Sequence, residues 1–422
     1  PGGVSPTRAF VDEGDADRRI AGWIMVEMPP REPGRAGEQA ARVRLMPNRG
    51  DLHFEGRVRE TLRPSIESAG LSIVMAPGRI LRHRREHDPA RRAKKANRDL
   101  ELAMLEQGPG DTLPPRALLA MGDAATVLED WPLARQSFSE AVRTAVRGST
   151  EMLEGYYGLL ATFAAGSGEE DERLALGLEA LEVYPFDAPL LCAMGGFLQE
   201  RNRTDLAVRA FETAVNFGRV DLETWHPTDL ADTAVLCLSA AYQLQGRMDE
   251  ARHTLDECLQ KRPDSHRARR GLVELLVREG RTVEALRVAE RLPMPRQDRE
   301  PFRNAVRGAC RAVRGEWTAA LGYLQSAYVA GCHDPICLRG LAQALLASGQ
   351  TEGIEPILRQ WESATPGNPE VARYFEALRT WAAPCPSNDG NATAWVRIDP
   401  ATTVVAVGPM HMPIVSQVSS MG

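Results

Sequence analysis

The stretch PRALLAMGDAATVLEDWPLARQSFSEAVRTA, residues 115–145, decides the fold. Leu118, Met121, Gly122 and Ala125 fall at helical spacing and share one face of a helix. The pattern breaks near Asp130 to Pro132, after which a second helix carries Ala134, Phe138 and Ala141. Tiny side chains on both helices let the backbones cross closely, and the bulky Phe138 fills the gap that remains.

The same second-helix anchor recurs along the chain. It stands at Ala134, Arg173, Ala207, Ala251, Ala285, Ala320 and Ile354, at intervals of 39, 34, 44, 34, 35 and 34 residues. The alternation of small and large residues at this period resembles tetratricopeptide repeats. Two intervals are long because AAGSGEEDER lengthens a turn and NFGRVDLETWHPTDL is inserted between hairpins. Pro185, Pro263 and Pro366 fall where a second helix has to stop. NPEVARYFEALRTWAA then reads as a capping helix for the last apolar face of the stack. The expected fold is mainly α: a tetratricopeptide-repeat superhelix of about seven helical hairpins, preceded by a partial α/β domain.

Composition agrees with helices and narrows function. The 422 residues are 43% hydrophobic and 26% charged, with only 6% aromatics. A net charge of −6 offers no global attraction to nucleic acid. No apolar run approaches the ~20 residues that span a bilayer, and PGGVSPTRAF has no secretory pattern. The chain reads as cytoplasmic, without a membrane span, and the absence of an initiating Met suggests a processed chain or a fragment. Seven scattered cysteines without a CxxC pair read as buried apolar groups. Cys332, His333 and Cys337 in GCHDPIC lack the four-ligand spacing of a closed zinc site.

Residues 20–83 differ from the rest. RIAGWIMVEM, ARVRLM, LHFEGRV and LSIVMAPGRILRH have strand length, and RETLRPSIESAG reads as a short helix closed by Gly70. This is too little to close a mixed sheet of normal size. The divisions expected are a flexible N-terminus at 1–19, a partial α/β domain at 20–90 and a linker helix at 91–114. The repeats with their cap follow at 115–383, and a loose tail at 384–422 has one short strand at Thr403 to Val407. Nine Lys and Arg between residues 79 and 98 fit the linker helix, and without interleaved aromatics they suit single-stranded nucleic acid poorly.

The order ARVRLMPNRGDLHFEGRVRETLRPSIESAG, GRILRH, KKANRDLELAMLEQGPGD and then repeats resembles bacterial family 2 glycosyltransferases with C-terminal tetratricopeptide repeats. The resemblance covers residues 20 to about 146, and the repeats extend it to about 383. Arg44, Leu45, Asn48, Phe54 to Val58, Glu60 and His83 match the family pattern. Met46, Pro47 and Arg59 depart from it, Arg59 standing where the family has His. The resemblance implies sugar transfer from a nucleotide sugar to an acceptor presented by the repeats, with a polypeptide as the candidate acceptor. It makes Glu60 the carboxylate that takes the acceptor proton, and His83 a ligand to a divalent cation, Mg or Mn, at the leaving diphosphate. The donor-binding half of such an enzyme has no room in this chain.

The alternative is a non-catalytic protein whose repeats mediate protein–protein interaction. In a stack of slightly rotated hairpins, the first helix of each supplies the inner wall. Counting back from the anchors places Gln199, Gln243, Arg267, Arg270 and Glu274 there, as candidates to hold a protein or peptide.

Overall fold

The structure, a computed structural model, describes residues 7, 10, 12, 20–29, 36–82, 88–106, 112–163, 169–350, 353–365 and 369–382. Within these, 7–197 and 213–230 form one compact unit, and 198–212 and 231–382 a second. The boundary runs through the third hairpin.

Seven helical hairpins are present among the described residues, as the period predicts. They are α3 (Pro115–Val127) with α4 (Trp131–Thr144), α5 (Thr150–Ala161) with α6 (Glu170–Val183), and α7 (Ala188–Glu200) with α8 (Thr204–Phe217). Then come α9 (Leu230–Leu244) with α10 (Met248–Lys261), and α11 (His266–Arg278) with α12 (Thr282–Ala289). The last two pair α13 (Arg296–Val313) with α14 (Trp317–Val329), and α15 (Pro335–Ala347) with α16 (Ile354–Ala364). The capping helix is α17 (Pro369–Ala382), whose Tyr374 ring meets Trp361 edge-on at 5.4 Å.

The anchors explain why the hairpins close. All seven are buried, six of them completely. Arg173 does an alanine's job by laying its guanidinium 3.9 Å from the centre of the Phe197 ring. The glycines work with the knobs: a Cβ at Gly122 or at Gly158 would stand 2.5 Å from the Phe138 ring, so one phenylalanine wedges between two hairpins. Leu324 occupies the same niche, where a Cβ at Gly308 would approach to 2.6 Å.

The first unit also holds a small sheet. β1 (Ile20–Met28) runs antiparallel to β2 (Glu38–Leu45) and parallel to β3 (Ser72–Leu81). Between β2 and β3, α1 (Arg63–Ser68) covers one face through Leu62, Ile66 and Leu71 packed on Ala21, and Gly70 ends it at φ 64°. The fourth strand, β4 (His226–Pro227), comes from the insertion between the third and fourth hairpins and pairs with β2. Trp225 packs beneath it on Val26 and Ala40. The long repeat interval therefore has a structural purpose, since the insertion supplies a sheet edge.

One expected strand is absent. LHFEGRV forms only an isolated bridge between Glu55 and Thr61, because Gly56 and Arg59 take left-handed backbone angles of 100° and 46°. That turn points Val58 into a cluster with Ala103, Ala117 and Met121. The segment expected as linker begins earlier, as α2 (Pro89–Met104), capped by the Asp88 side chain on the Ala90 N–H at 3.0 Å. The strand expected at Thr403 to Val407 lies outside the described residues.

Candidate functional site

In the second unit, α11 carries Arg267, Arg270, Glu274 and Arg278 at spacings of three, four and four, which align them in one stripe. Its other side is the core, with Ala268, Leu272, Leu275 and Leu276 buried. Ser265 starts the helix by accepting from the Ala268 N–H at 3.1 Å.

The stripe is cross-linked to the neighbouring first helices. Arg267 Nη1 donates to Thr233 Oγ1 of α9 at 3.1 Å. Arg270 Nε donates to Glu274 Oε1 at 3.2 Å, and its Nη2 pairs with Asp334. Asp334 caps α15 through the Ile336 N–H at 2.9 Å, and the Phe302 ring of α13 lies 5.2 Å from the Arg270 guanidinium. At the far end Arg278 Nη2 meets Glu370 Oε2 of α17 at 3.4 Å.

Charge balance varies along this strip. Burial works against the Arg270 cation, but Asp334 and Glu274 outweigh it and raise its pKa. Burial alone lowers Arg267. Arg278 is pushed down to about 10, first by burial and then by the like charge of Arg339, against which Glu370 only partly compensates. Arg339 of α15 is half-buried and has no side-chain hydrogen bond or ion pair among the described residues. The strip is closed by carboxylates in its middle and carries surplus positive charge toward Arg278 and Arg339.

The other candidates lie elsewhere. Gln199 is half-buried near the end of α7, and Gln243 turns back on its own helix toward Ser239 Oγ at 3.4 Å. Neither is joined to the Arg267–Arg278 strip by any hydrogen bond. Glu60 is exposed on the turn between Glu55 and Thr61 and has no side-chain partner among the described residues. His83 lies outside the described residues. Among the described residues no group of three or more His, Cys, Asp or Glu side chains is placed to hold a metal ion. Cys337 of the GCHDPIC motif is buried, its thiol 3.7 Å from the Leu324 carbonyl.

Sequence reasoning missed Phe302, Arg278, Asp334, Arg339 and Glu370. Arg278 was within reach, because it continues the Arg270–Glu274 spacing by one further turn. Asp334 carried a cap signature in DP, but its partnership with a residue sixty-four positions earlier is set only by stacking.

A tetratricopeptide-repeat family model matches residues 242–307, from the end of α9 into α13. The hairpins within that span match tetratricopeptide repeats. Among solved structures, a tetratricopeptide repeat protein from Parabacteroides merdae is 16% identical with a TM-score of 0.47, covering 63% of this chain and 98% of that one. Pseudomonas aeruginosa pilF is 14% identical with a TM-score of 0.35, covering 62% and 96%. These are likenesses of fold. No curated protein sequence matches the chain. The family match stays within the tetratricopeptide repeats and lends nothing to the glycosyltransferase resemblance of residues 20 to about 146. Among the described residues no helix is long and apolar enough to cross a membrane.

Proposed function

We propose that the tetratricopeptide array binds another protein along the strip from Arg267 to Arg278, taking an extended segment that carries acidic side chains. The observation that supports this is the surplus cation at Arg278 and Arg339, held beside an array of first helices whose polar groups line up. An acidic side chain entering there relieves the repulsion between two guanidiniums and meets donors already fixed in place.

A peptide array probed with the wild-type chain and with Arg339→Glu tests it. Arg339 makes no side-chain hydrogen bond or ion pair among the described residues, and thermal unfolding of the variant checks that its fold is kept. Acidic peptides should bind the wild type and lose about tenfold or more in affinity with the variant, equivalent to ~1.4 kcal/mol. Binding should also weaken as salt rises. Equal binding by both proteins refutes the strip.

A second reading has one observation in its favour. Glu60, the residue matching the acceptor-activating carboxylate of family 2 glycosyltransferases, is exposed and unengaged on a turn whose neighbour Arg59 is firmly held. In that reading the repeats present an acceptor to a sugar-transfer domain. A divalent cation at His83 remains an implication of the resemblance alone. Transfer from a nucleotide sugar, lowered about 100-fold or more by Glu60→Gln, supports it; an unchanged rate removes Glu60 from the chemistry.

A further inference from the structure

The GCHDPIC motif brings two free cysteines together in the second unit, five residues apart in the chain. α14 ends as Gly331 takes a left-handed backbone angle of 87° and the Cys332 N–H donates to the Ala327 carbonyl at 3.0 Å. The His333 ring then lies 5.2 Å from the Tyr328 ring, and Asp334 starts α15 by accepting from the Ile336 N–H. This sharp reversal places Cys337 in the first turn of α15, with its thiol 3.7 Å from the Leu324 carbonyl of α14.

Two anchors on α14 hold the pair. Leu324 and Ala327 are both buried, on one face of the helix and separated by roughly 4.5 Å along its axis. The main chain of Cys332 is bonded at Ala327, and the sulfur of Cys337 rests at Leu324. The backbone thus fastens both cysteines within one helical turn, and their thiols lie within hydrogen-bond reach of each other.

The two thiols are not equivalent. Cys332 is partly exposed, whereas Cys337 is fully buried. The hydrogen bond from Cys337 outweighs burial and lowers the Cys332 pKa, while the same bond and burial raise Cys337 well above the usual thiol range. The proton therefore stays on the buried sulfur, and the exposed one is the readier thiolate. Elsewhere burial pushes the Cys237 thiol up to about 12, which leaves it inert.

We propose that Cys332 and Cys337 form a peroxide-sensitive dithiol, which closes to a disulfide across the turn between α14 and α15. The Cys332 thiolate attacks one oxygen of hydrogen peroxide: an S–O bond forms, the O–O bond breaks, and the departing hydroxide takes up a proton to become water. The Cys337 sulfur then attacks the Cys332 sulfenic acid. The S–S bond forms, the S–O bond breaks, and the hydroxyl leaves with the Cys337 proton as water. The two sulfurs lose two electrons between them, and the peroxide gains both. The loop so closed contains Asp334, which caps α15 and pairs with Arg270. The reaction is independent of what the Arg267–Arg278 strip binds.

Thiol mapping of the full chain tests it. The protein is treated with hydrogen peroxide, quenched with catalase, unfolded in iodoacetamide and digested with trypsin, which releases residues 315–339 as one peptide holding Cys332, Cys337 and no other cysteine. The expected result is a peptide lighter by two hydrogens and not alkylated, returned by dithiothreitol to two alkylated thiols, while Cys192, Cys237, Cys258 and Cys310 stay alkylated. With Cys337→Ala, dimedone should trap the sulfenic acid at Cys332. With Cys332→Ser, Cys337 should stay reduced at the dose that closes the wild type. Two alkylated thiols in the treated wild-type peptide overturn the proposal, as do oxidation of Cys332 without a bond to Cys337 and a disulfide from Cys332 to any other cysteine.

Discussion

Arg59 and Asp123 form a buried ion pair, with Arg59 Nε 3.2 Å from Asp123 Oδ2, and Glu154 takes the other arm of the same guanidinium. The pair ties the turn that displays Glu60 to the first helices of the first two hairpins, and holds Arg59 in a left-handed backbone conformation at φ 46°. Burial alone would lower the guanidinium pKa, but the two carboxylates outweigh it and raise it. Removing one partner strands the others' charge away from water. Arg59→Ala should destabilise the chain by about 3–5 kcal/mol, measured by urea unfolding. A change below about 1 kcal/mol would show that water reaches the carboxylates.

Asp187 supplies a pH dependence of definite sign. Burial raises its carboxyl pKa to about 7, although the Leu190 N–H and the Tyr157 O–H both donate to it. The folded carboxyl keeps a proton that the unfolded one releases near pH ~4. Its contribution to stability is therefore full below about pH 4 and is lost as pH rises to about 7, at up to ~1.4 kcal/mol per unit. Asp187→Asn keeps an acceptor for both donors and does not titrate. The stability of the wild type relative to this variant should fall across that window, and a flat difference from pH 4 to 7 would mean that Asp187 is charged in the fold throughout.

The wedge at Phe138 predicts a coupled pair. Gly122→Ala places a methyl group 2.5 Å from the ring and should cost about 1–3 kcal/mol. Phe138→Leu in the same chain frees that space, so the double variant should be more stable than the sum of the single changes predicts. Simple additivity in thermal unfolding would contradict the wedge.

The insertion supplies an edge to the sheet, and amide exchange reports on it. The Ala41 N–H donates to the Leu222 carbonyl at 2.6 Å and the Thr228 N–H to the Gly37 carbonyl at 2.9 Å. Trp225→Ala removes the side chain that seats this segment, at a cost of about 3–5 kcal/mol. Protection of both amides should fall together. Unchanged exchange at Ala41 would show that the edge is held without the indole.

Arg267 and Arg270 separate binding from stability. Arg270→Ala strands Asp334 and leaves Glu274 without its partner, so it should lower the melting temperature. Arg267→Ala removes the bond to the Thr233 hydroxyl and should lower the melting temperature less than Arg270→Ala does. Equal thermal stability of the two variants would remove Arg270 as a cross-link between α11 and α15.

The hairpins were legible in the sequence because their signal is local. Ala134 and Phe138 sit one helical turn apart, and each anchor needs only a small side chain at a repeating position. Even Arg173, chemically unlike the other anchors, kept its place in the period and its burial. Strand length and apolar content located β1, β2 and β3, but LHFEGRV misled because nothing in it announces the left-handed backbone of Arg59. That conformation is held by Asp123 and Glu154, which lie 64 and 95 residues away in the chain. The insertion shows the same division: its length was visible, whereas its pairing with β2 depends on the sheet lying within reach. The stripe on α11 followed from helical spacing, but only stacking of the first helices decided that Arg270 would be neutralised and Arg278 left facing Arg339. Helical periodicity is written in neighbouring residues, while the balance of buried charge is set by which distant groups the packed backbone brings together.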